Sequence, residues 1–134
     1  MKKIEHIGIA VKSLSHSNEL FSKLFNTGPY KTEVIEDQGV ATSFFRVGPN
    51  KIELLEALTE KSPISKYLEK FGEGIHHIAF DVDDIQHEIE RLTNEGFQLI
   101  GDGPSQGADN KIICFLNPKS CNGVLVELCQ EIQK

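Results

Sequence analysis

Residues 6–14 read His-Ile-Gly-Ile-Ala-Val-Lys-Ser-Leu, a short apolar strand followed by a turn. Residues 77–85 read His-Ile-Ala-Phe-Asp-Val-Asp-Asp-Ile and repeat the pattern of a histidine, alternating apolar residues, a valine, two polar residues and an aliphatic residue. A second pair follows, since Lys-Ile-Glu-Leu-Leu-Glu at 51–56 resembles Leu-Val-Glu-Leu-Cys-Gln at 125–130. The shared order of the two pairs and their nearly equal spacing predict a tandem repeat of two modules.

The first module has the predicted element order β-α-β-β-β. A helix is expected over residues 15–26, where four apolar residues recur at helical spacing, with Ser15 or Ser17 as its N-cap. Those four residues are Leu20, Phe21, Leu24 and Phe25. Three strands are then predicted, with glycine-containing turns between them, at 30–36, 40–47 and 51–57.

The second module repeats this order. Its helix is predicted over residues 83–95, with Asp83 as N-cap, Gly96 at its end, and an apolar face formed by Ile85, Ile89 and Leu92. Its strands are predicted at 97–101, 111–116 and 123–129. The Gly-, Asp- and Asn-rich residues 101–110 are expected to separate the first two strands, and a connector helix is expected from Pro63 to Phe71.

Length and composition favour one small domain. The 134 residues fall within the range of about 100–200 residues for a single domain. We expect a single domain over 1–134, made of module one at 1–58, a connector at 59–72 and module two at 73–132.

The charge and cysteine content exclude several classes of partner. Fourteen basic against twenty acidic residues give a net charge of −6, which argues against a nucleic-acid or anionic membrane partner. No apolar run approaches the roughly 18 residues of a membrane span, and no signal-peptide core follows the first residues. Three cysteines without a CxxC spacing are typical of a cytoplasmic protein, and we expect Cys114, Cys121 and Cys129 to be small core residues.

The alternation of side chains along a strand divides the repeated stretch into two faces. His6 shares one face with the small residues Gly8 and Ala10, which leave room beside the imidazole. His77 takes the same position in the second copy, whereas its neighbour His76 falls on the packed face. The residues expected to pack under the helices are Ile7, Ile9 and Val11 in the first copy and Ile78, Phe80 and Val82 in the second.

Glu53 and Glu127 interrupt otherwise apolar strands near the end of each module. A carboxylate in such a run is costly unless it is paired or bound to a cation. One histidine at a strand start is usually a packing residue, and one glutamate in an edge strand is usually solvated. The duplication changes this interpretation, because two imidazoles and two carboxylates form a four-ligand site for a divalent metal. His16 and His87 have no counterpart in the repeat and are expected on the surface.

These residues carry a family resemblance over nearly the whole chain. The chain resembles the vicinal oxygen chelate superfamily and, within it, the methylmalonyl-CoA epimerases. The histidine-led strands are typical of the superfamily. More specific to the epimerases are Gly-Glu-Gly-Ile-His-His-Ile-Ala-Phe at 72–80 and Pro-Lys-Ser at 118–120 followed by Gly-Val-Leu-Val-Glu-Leu at 123–128. The resemblance is also carried by 4–11, 51–56 and Ser-Pro-Ile at 62–64.

The resemblance implies an α+β fold of two tandem β-α-β-β-β modules whose sheets curl around a metal-containing cleft. The metal ligands that it implies are His6, Glu53, His77 and Glu127. Nitrogen and oxygen ligands suit Co, Ni, Zn or Mn alike, so one divalent ion of undetermined identity is expected. The implied substrate is an acyl-CoA, for whose phosphates Lys119 is a candidate contact, and a homodimer is the expected assembly.

The implied reaction interconverts the 2R and 2S forms of methylmalonyl-CoA. A weakly acidic proton beside a thioester must be removed and then returned on the opposite face. A divalent metal stabilises the resulting enolate as a Lewis acid, and two bases are needed on opposite faces. Our hypothesis is that Glu53 and Glu127 approach the metal from opposite modules and that one or both leave it when the substrate chelates it, which frees them to move the proton. A metal-bound hydroxide or an unidentified residue is the alternative to either base.

Two positions depart from the family pattern. Some epimerases have a glutamate as a proposed base where Thr42 stands here, which leaves one acid/base group unassigned. Asn117 replaces the usual histidine before Pro-Lys-Ser, a loop substitution of little chemical weight.

Three other functions are compatible with the fold. A glyoxalase I-like isomerase (lactoylglutathione lyase) also moves a proton beside a metal-bound oxygen, and its thiol carrier, glutathione instead of CoA, distinguishes it. A non-catalytic drug-binding protein of the bleomycin-resistance type normally lacks metal ligands, whereas all four ligand types are present here. A ring-cleaving dioxygenase uses two histidines and one carboxylate, and Glu53 would fill the position that oxygen chemistry needs open.

Overall fold

The computed structural model describes residues 1–132 of the chain. The chain divides into two compact units. The first unit comprises residues 6–76, and the second unit comprises residues 1–5 together with the segment that begins at His77. In chain order the elements are β1 (Lys3–Ala10), α1 (Leu14–Phe25), β2 (Lys31–Ile35), β3 (Val40–Val47), β4 (Asn50–Ala57), α2 (Pro63–Phe71), β5 (Gly74–Asp81), α3 (Ile85–Asn94), β6 (Leu99–Gln106), β7 (Lys111–Leu116) and β8 (Val126–Glu131).

The two units have the same topology, which confirms the predicted repeat. In the first unit the strand order is β2-β3-β4-β1, with β1 parallel to β4 and the other neighbours antiparallel. In the second unit the order is β5-β8-β7-β6, with β5 parallel to β8 and the other neighbours antiparallel. Each parallel pair joins the first and last strands of a module, and the connection between parallel strands carries the helix.

Helix α1 begins at Leu14, one residue before its predicted start, and has a different N-cap. Ser13 is the N-cap, and its side chain accepts a hydrogen bond from the backbone N–H of His16 at 3.2 Å. The prediction of Ser15 or Ser17 was wrong, because the cap is the residue immediately before the first helical turn, and helix geometry already begins at Leu14. The helix ends at Phe25, and its C-cap Asn26 adopts the left-handed conformation with φ of 56°.

Only two of the four apolar residues that recur at helical spacing along α1 are packed. Phe21 and Phe25 lie against Phe45, in a cluster that also contains Val11 and Leu54. Leu20 and Leu24, which recur at the same helical spacing, are 56% and 68% exposed. The apolar stripe of α1 is therefore wider than the surface of the sheet that it covers.

Helix α3 packs as predicted but has a different cap. Ile85, Ile89 and Leu92 are buried in a cluster with Val82, Cys114, Leu116 and Leu128. The N-cap is Asp84 and not Asp83: Asp84 Oδ1 accepts from the backbone N–H of His87 at 3.1 Å. Asp83 instead lies 2.9 Å from the Lys2 ammonium group.

Strands β6 and β8 depart from their predicted bounds. Strand β6 continues to Gln106, through residues predicted as a connection, because a bulge absorbs the irregular sequence. Residues 101–104 lie opposite Cys114 alone, and Gly101 and Gly103 have φ angles of 81° and 139°. Strand β8 begins at Val126 instead of residue 123, since Gly123 with φ of 86° still belongs to the preceding turn.

The connector helix agrees with its prediction. Helix α2 begins at Pro63, after the N-cap Ser62, and ends at Phe71. Its Ile64 packs against Ala10, Val40 and Leu55 of the first unit. None of the helices within residues 1–132 is long and apolar enough to cross a membrane.

Candidate metal and proton-transfer site

In the first unit, strands β1 and β4 bring His6 and Glu53 together. The imidazole Nε2 of His6 lies 3.2 Å from Glu53 Oε1, and both residues are only 4% exposed. The parallel register places Gly8 opposite Glu53, so no side chain of β1 competes with the carboxylate at that level. Phe44 of β3 lies opposite Glu53 on the other side and meets the His6 ring edge-on, with centroids 6.1 Å apart.

In the second unit, strands β5 and β8 build the same arrangement. His77 Nε2 lies 3.0 Å from Glu127 Oε1, and the two residues are 3% and 5% exposed. Ala79 is opposite Glu127 on one side, and Phe115 of β7 is opposite on the other. The Phe115 ring meets the His77 ring edge-on, with centroids 5.7 Å apart. Each of the two units thus contains the same cluster of a histidine, a glutamate and a phenylalanine.

The two phenylalanines were not singled out in the sequence. They became recognisable only through the register, which aligns each with the glutamate of the neighbouring strand. The element order offered a signal for them. Phe44 and Phe115 each lie on the strand that precedes the glutamate-bearing strand in the chain. Edge-on packing holds each imidazole ring in one orientation, which presents Nε2 to its glutamate.

The chemistry of these groups fits a divalent metal ion. Each unit supplies one imidazole nitrogen and one carboxylate oxygen of this kind, from His6 and Glu53 in the first and from His77 and Glu127 in the second. A buried carboxylate is stable only when it is paired with a cation or well hydrogen-bonded, and each glutamate here lies beside an imidazole nitrogen. Imidazole and carboxylate groups together are typical ligands of Zn, Co, Ni and Mn.

His76 lies elsewhere. Its ring packs edge-on against Tyr67 of α2 at 4.9 Å, and the Tyr67 hydroxyl donates to the backbone carbonyl of Ile75 at 2.6 Å. The structure therefore brings His77, and not His76, beside Glu127. His16 and His87 are exposed on α1 and α3, as predicted.

Lys119, Asn117 and Thr42, which the sequence also singled out, are not members of either His–Glu pair. Lys119 is exposed in a single 3-10 turn over Pro118–Ser120, where the Asn117 side chain accepts from the Lys119 backbone N–H at 3.0 Å. Asn117 thus serves as the cap of this turn. Thr42 is buried on β3.

The cysteines are inert thiols in this structure. Cys114 and Cys129 are buried, and Cys121 is half-buried. Burial raises the pKa of all three thiols, and for Cys129 the nearby Glu127 and Glu5 raise the pKa further. A raised pKa keeps the thiol protonated, which disfavours a nucleophilic role.

Comparison with known proteins reveals one family. Residues 5–115 match the family described as Glyoxalase/Bleomycin resistance protein/Dioxygenase superfamily. The chain is 41% identical to the mitochondrial methylmalonyl-CoA epimerase of Dictyostelium discoideum over 127 residues, which cover 94% of this chain and 76% of the relative. It is 38% identical to the ethylmalonyl-CoA/methylmalonyl-CoA epimerase of Cereibacter sphaeroides, with 96% of this chain and 97% of the relative covered.

Solved structures show the same similarity. A variant of Streptomyces coelicolor methylmalonyl-CoA epimerase in complex with 2-nitronate-propionyl-CoA superposes with a TM-score of 0.94. The two chains are 35% identical, and the match covers 98% of this chain and 95% of the other.

Proposed function

This chain belongs to the methylmalonyl-CoA epimerases of the glyoxalase/bleomycin resistance/dioxygenase superfamily, and on that basis we propose that it interconverts the 2R and 2S forms of methylmalonyl-CoA. The observation that carries the proposal is the buried His–Glu pair that occurs once in each unit. A fold alone does not establish a function, but two buried carboxylates, each beside an imidazole, are the groups that metal-assisted proton transfer requires.

His6, Glu53, His77 and Glu127 together bind one divalent metal ion in this proposal. Two nitrogen and two oxygen ligands suit Co, Ni, Zn or Mn, and no thiolate restricts the choice. When bound, such an ion supplies Lewis acidity, which lowers the cost of negative charge on a thioester oxygen.

Glu53 and Glu127 also move the proton. Epimerisation requires one group that accepts the proton from C2 and another that returns a proton on the opposite face. A carboxylate can accept a proton and release it again. An imidazole nitrogen that is bound to the metal cannot, because its lone pair is used in coordination. Each glutamate is fixed by its strand and its histidine, so both are positioned before the substrate arrives.

Lys119 contacts a phosphate of CoA. It is exposed, it carries a flexible positive charge, and the capped turn around it fixes its backbone. The acyl-CoA is the small-molecule partner, and the protein acts in the cytoplasm as a homodimer. Light scattering of the purified protein tests the dimer.

A glyoxalase I-like activity is not favoured, since the relatives described above act, by their names, on acyl-CoA thioesters. The same comparison disfavours a non-catalytic drug-binding protein. The carrier of the thioester remains the direct discriminator: CoA for the epimerase and glutathione for the isomerase.

Deuterium exchange tests the proposal directly. The purified protein is incubated with (2R)- or (2S)-methylmalonyl-CoA in D2O, and label at C2 is followed by mass spectrometry while the metal content is measured by elemental analysis. We expect exchange with both epimers and one divalent ion per chain. The hemithioacetal of methylglyoxal and glutathione serves as the competing substrate. Turnover of that compound without exchange at C2 of methylmalonyl-CoA would overturn the proposal.

A further inference from the structure

Thr42 is a buried hydroxyl that the fold does not satisfy. Its side chain is 1% exposed, and Oγ1 has no hydrogen-bond partner among residues 1–132. A buried hydroxyl without a partner loses its hydrogen bonds to water without replacement, which is costly. Such a group can gain a hydrogen bond from a bound ligand if it also faces the site where the ligand binds.

The register places Thr42 on the face that carries the His6–Glu53 pair. Phe44 lies opposite Glu53 and contacts His6, so all three share one face of the sheet. Thr42 precedes Phe44 by two residues on β3 and therefore lies on that face as well. Diagonal neighbours on adjacent strands are roughly 7–8 Å apart, which puts Thr42 within reach of a small molecule bound at Glu53.

Apolar residues close the far side of Thr42. On the same face, Leu55 lies directly opposite Thr42, and Val40 precedes Thr42 by two residues on β3. Both pack against Ile64 of α2 in one buried cluster. Thr42 is thus the polar group at the border between the His6–Glu53 pair and the wall that α2 forms.

The carboxylate opposite Thr42 on β2 does not accept a hydrogen bond from the Thr42 hydroxyl. Glu33 of β2 lies directly opposite Thr42, but its carboxylate is 3.3 Å from the Lys31 ammonium group.

We propose that the Thr42 hydroxyl binds substrate by donating a hydrogen bond to an oxygen of the malonyl group. The inference rests on the proposed function, which supplies a substrate with carboxylate and thioester oxygens. A threonine hydroxyl is a donor and a poor base, so Thr42 orients the substrate and does not take the proton from C2. In this proposal β3 contributes a substrate-binding side chain, in addition to the His6–Glu53 pair on β1 and β4.

Ser43 provides a matched control within the same strand. It is fully buried, and its Oγ also has no hydrogen-bond partner in the described part of the chain. Because it is the next residue along β3, it faces the opposite side of the sheet, the side on which Phe45 packs under α1. Removal of the Ser43 hydroxyl therefore tests the loss of an unsatisfied group away from the proposed substrate.

The test compares Thr42→Val, Thr42→Ser and Ser43→Ala. Valine keeps the shape of threonine and removes the hydroxyl, so Thr42→Val should keep or raise Tm while kcat/KM for methylmalonyl-CoA falls by roughly 10-fold to 100-fold. Thr42→Ser retains the donor and should stay near the wild type, and Ser43→Ala should leave kcat/KM unchanged. The loss appears in KM if the contact is equally strong in the ground state, and in kcat if it strengthens as charge develops.

Three outcomes would overturn the inference. Wild-type kcat/KM in Thr42→Val shows that the hydroxyl does not touch substrate, and equal losses in Thr42→Val and Ser43→Ala show a general packing effect. An inactive wild type overturns the epimerase proposal and this inference together, whereas an active wild type matched by Thr42→Val overturns this inference alone. Should Thr42→Val fail to fold, Thr42→Cys replaces it, because a thiol is a weak donor of similar size.

Discussion

Glu127 and Glu53 each occupy a place where an ordinary strand would carry an apolar residue. Each is buried, lies beside one imidazole, and has a phenylalanine from the next strand opposite it. Two clusters, each of a histidine, a glutamate and a phenylalanine in the same arrangement, are difficult to explain by packing alone. A packing requirement would be met by leucine or valine without the desolvation of a carboxylate.

Replacing Glu127 with glutamine tests its proposed role as a base. Glutamine keeps the size of the side chain and an oxygen ligand, but it cannot accept a proton. We expect Glu127→Gln to keep its fold and much of its metal while epimerisation falls by at least roughly 100-fold, since a general base typically contributes that much. Circular dichroism, elemental analysis and turnover of methylmalonyl-CoA measure the three quantities.

A parallel variant and a control variant complete this experiment. Glu53→Gln makes the same change in the other unit, and Glu90→Gln removes an exposed carboxylate of α3 and should leave turnover unchanged. Near-normal turnover in Glu127→Gln would reduce Glu127 to a ligand and assign the proton transfer to Glu53 or to another group.

Helices α1 and α3, which correspond in the repeat, begin with the same type of N-cap hydrogen bond. Ser13 caps α1 and Asp84 caps α3, and each side chain accepts from the backbone N–H three residues later. These bonds satisfy donors that the first helical turn leaves without an intrahelical partner. The repeat therefore extends from the strands to the way each helix starts.

Removal of either cap should destabilise the protein. We expect Ser13→Ala and Asp84→Ala each to lower the free energy of unfolding by about 1 kcal/mol, as measured by chemical denaturation. Ser15→Ala and Asp83→Ala, at positions that resemble caps in the sequence, should change it by less than about 0.5 kcal/mol because both residues are exposed. A larger loss in either of these controls than in its neighbouring cap variant would contradict the assignment.

The whole molecule links its two units through continuous strands. The boundary between the units falls inside β1, after Glu5, and inside β5, after His76. Each of these strands contributes residues to both units. This continuity supports the proposal of a single domain over residues 1–134.

Metal binding should therefore stabilise the molecule as one unit. We expect a single unfolding transition in calorimetry, and a divalent ion at a hundredfold excess over its Kd should add about 2.7 kcal/mol and raise Tm by several degrees. The ligands come from both units in our proposal, so His6→Ala and His77→Ala should each abolish the shift. His16→Ala, at an exposed histidine, should retain it. Two separate transitions, or a shift that survives in one histidine variant, would contradict the single-site proposal.

Much of this protein follows from local sequence. Alternation of apolar residues, helical spacing and turn residues are properties of neighbouring positions, and they predict the order β-α-β-β-β twice and the bounds of β3, β7 and α2. The duplication of His6 and Glu53 as His77 and Glu127 identifies the candidate ligands, since a repeated polar residue in an apolar strand is visible without a structure. Strand periodicity also separates His77 from its neighbour His76.

Other features depend on contacts between segments that are distant in sequence. Pairing across strands placed Phe44 and Phe115 beside the histidines and put Thr42 on the face of Glu53, because register is set by how whole strands pack. The area of the sheet under α1 decided that Phe21 and Phe25 are covered while Leu20 and Leu24 are exposed. Local pattern specifies which residues prefer burial, but the available surface of the neighbouring elements decides which of them obtain it.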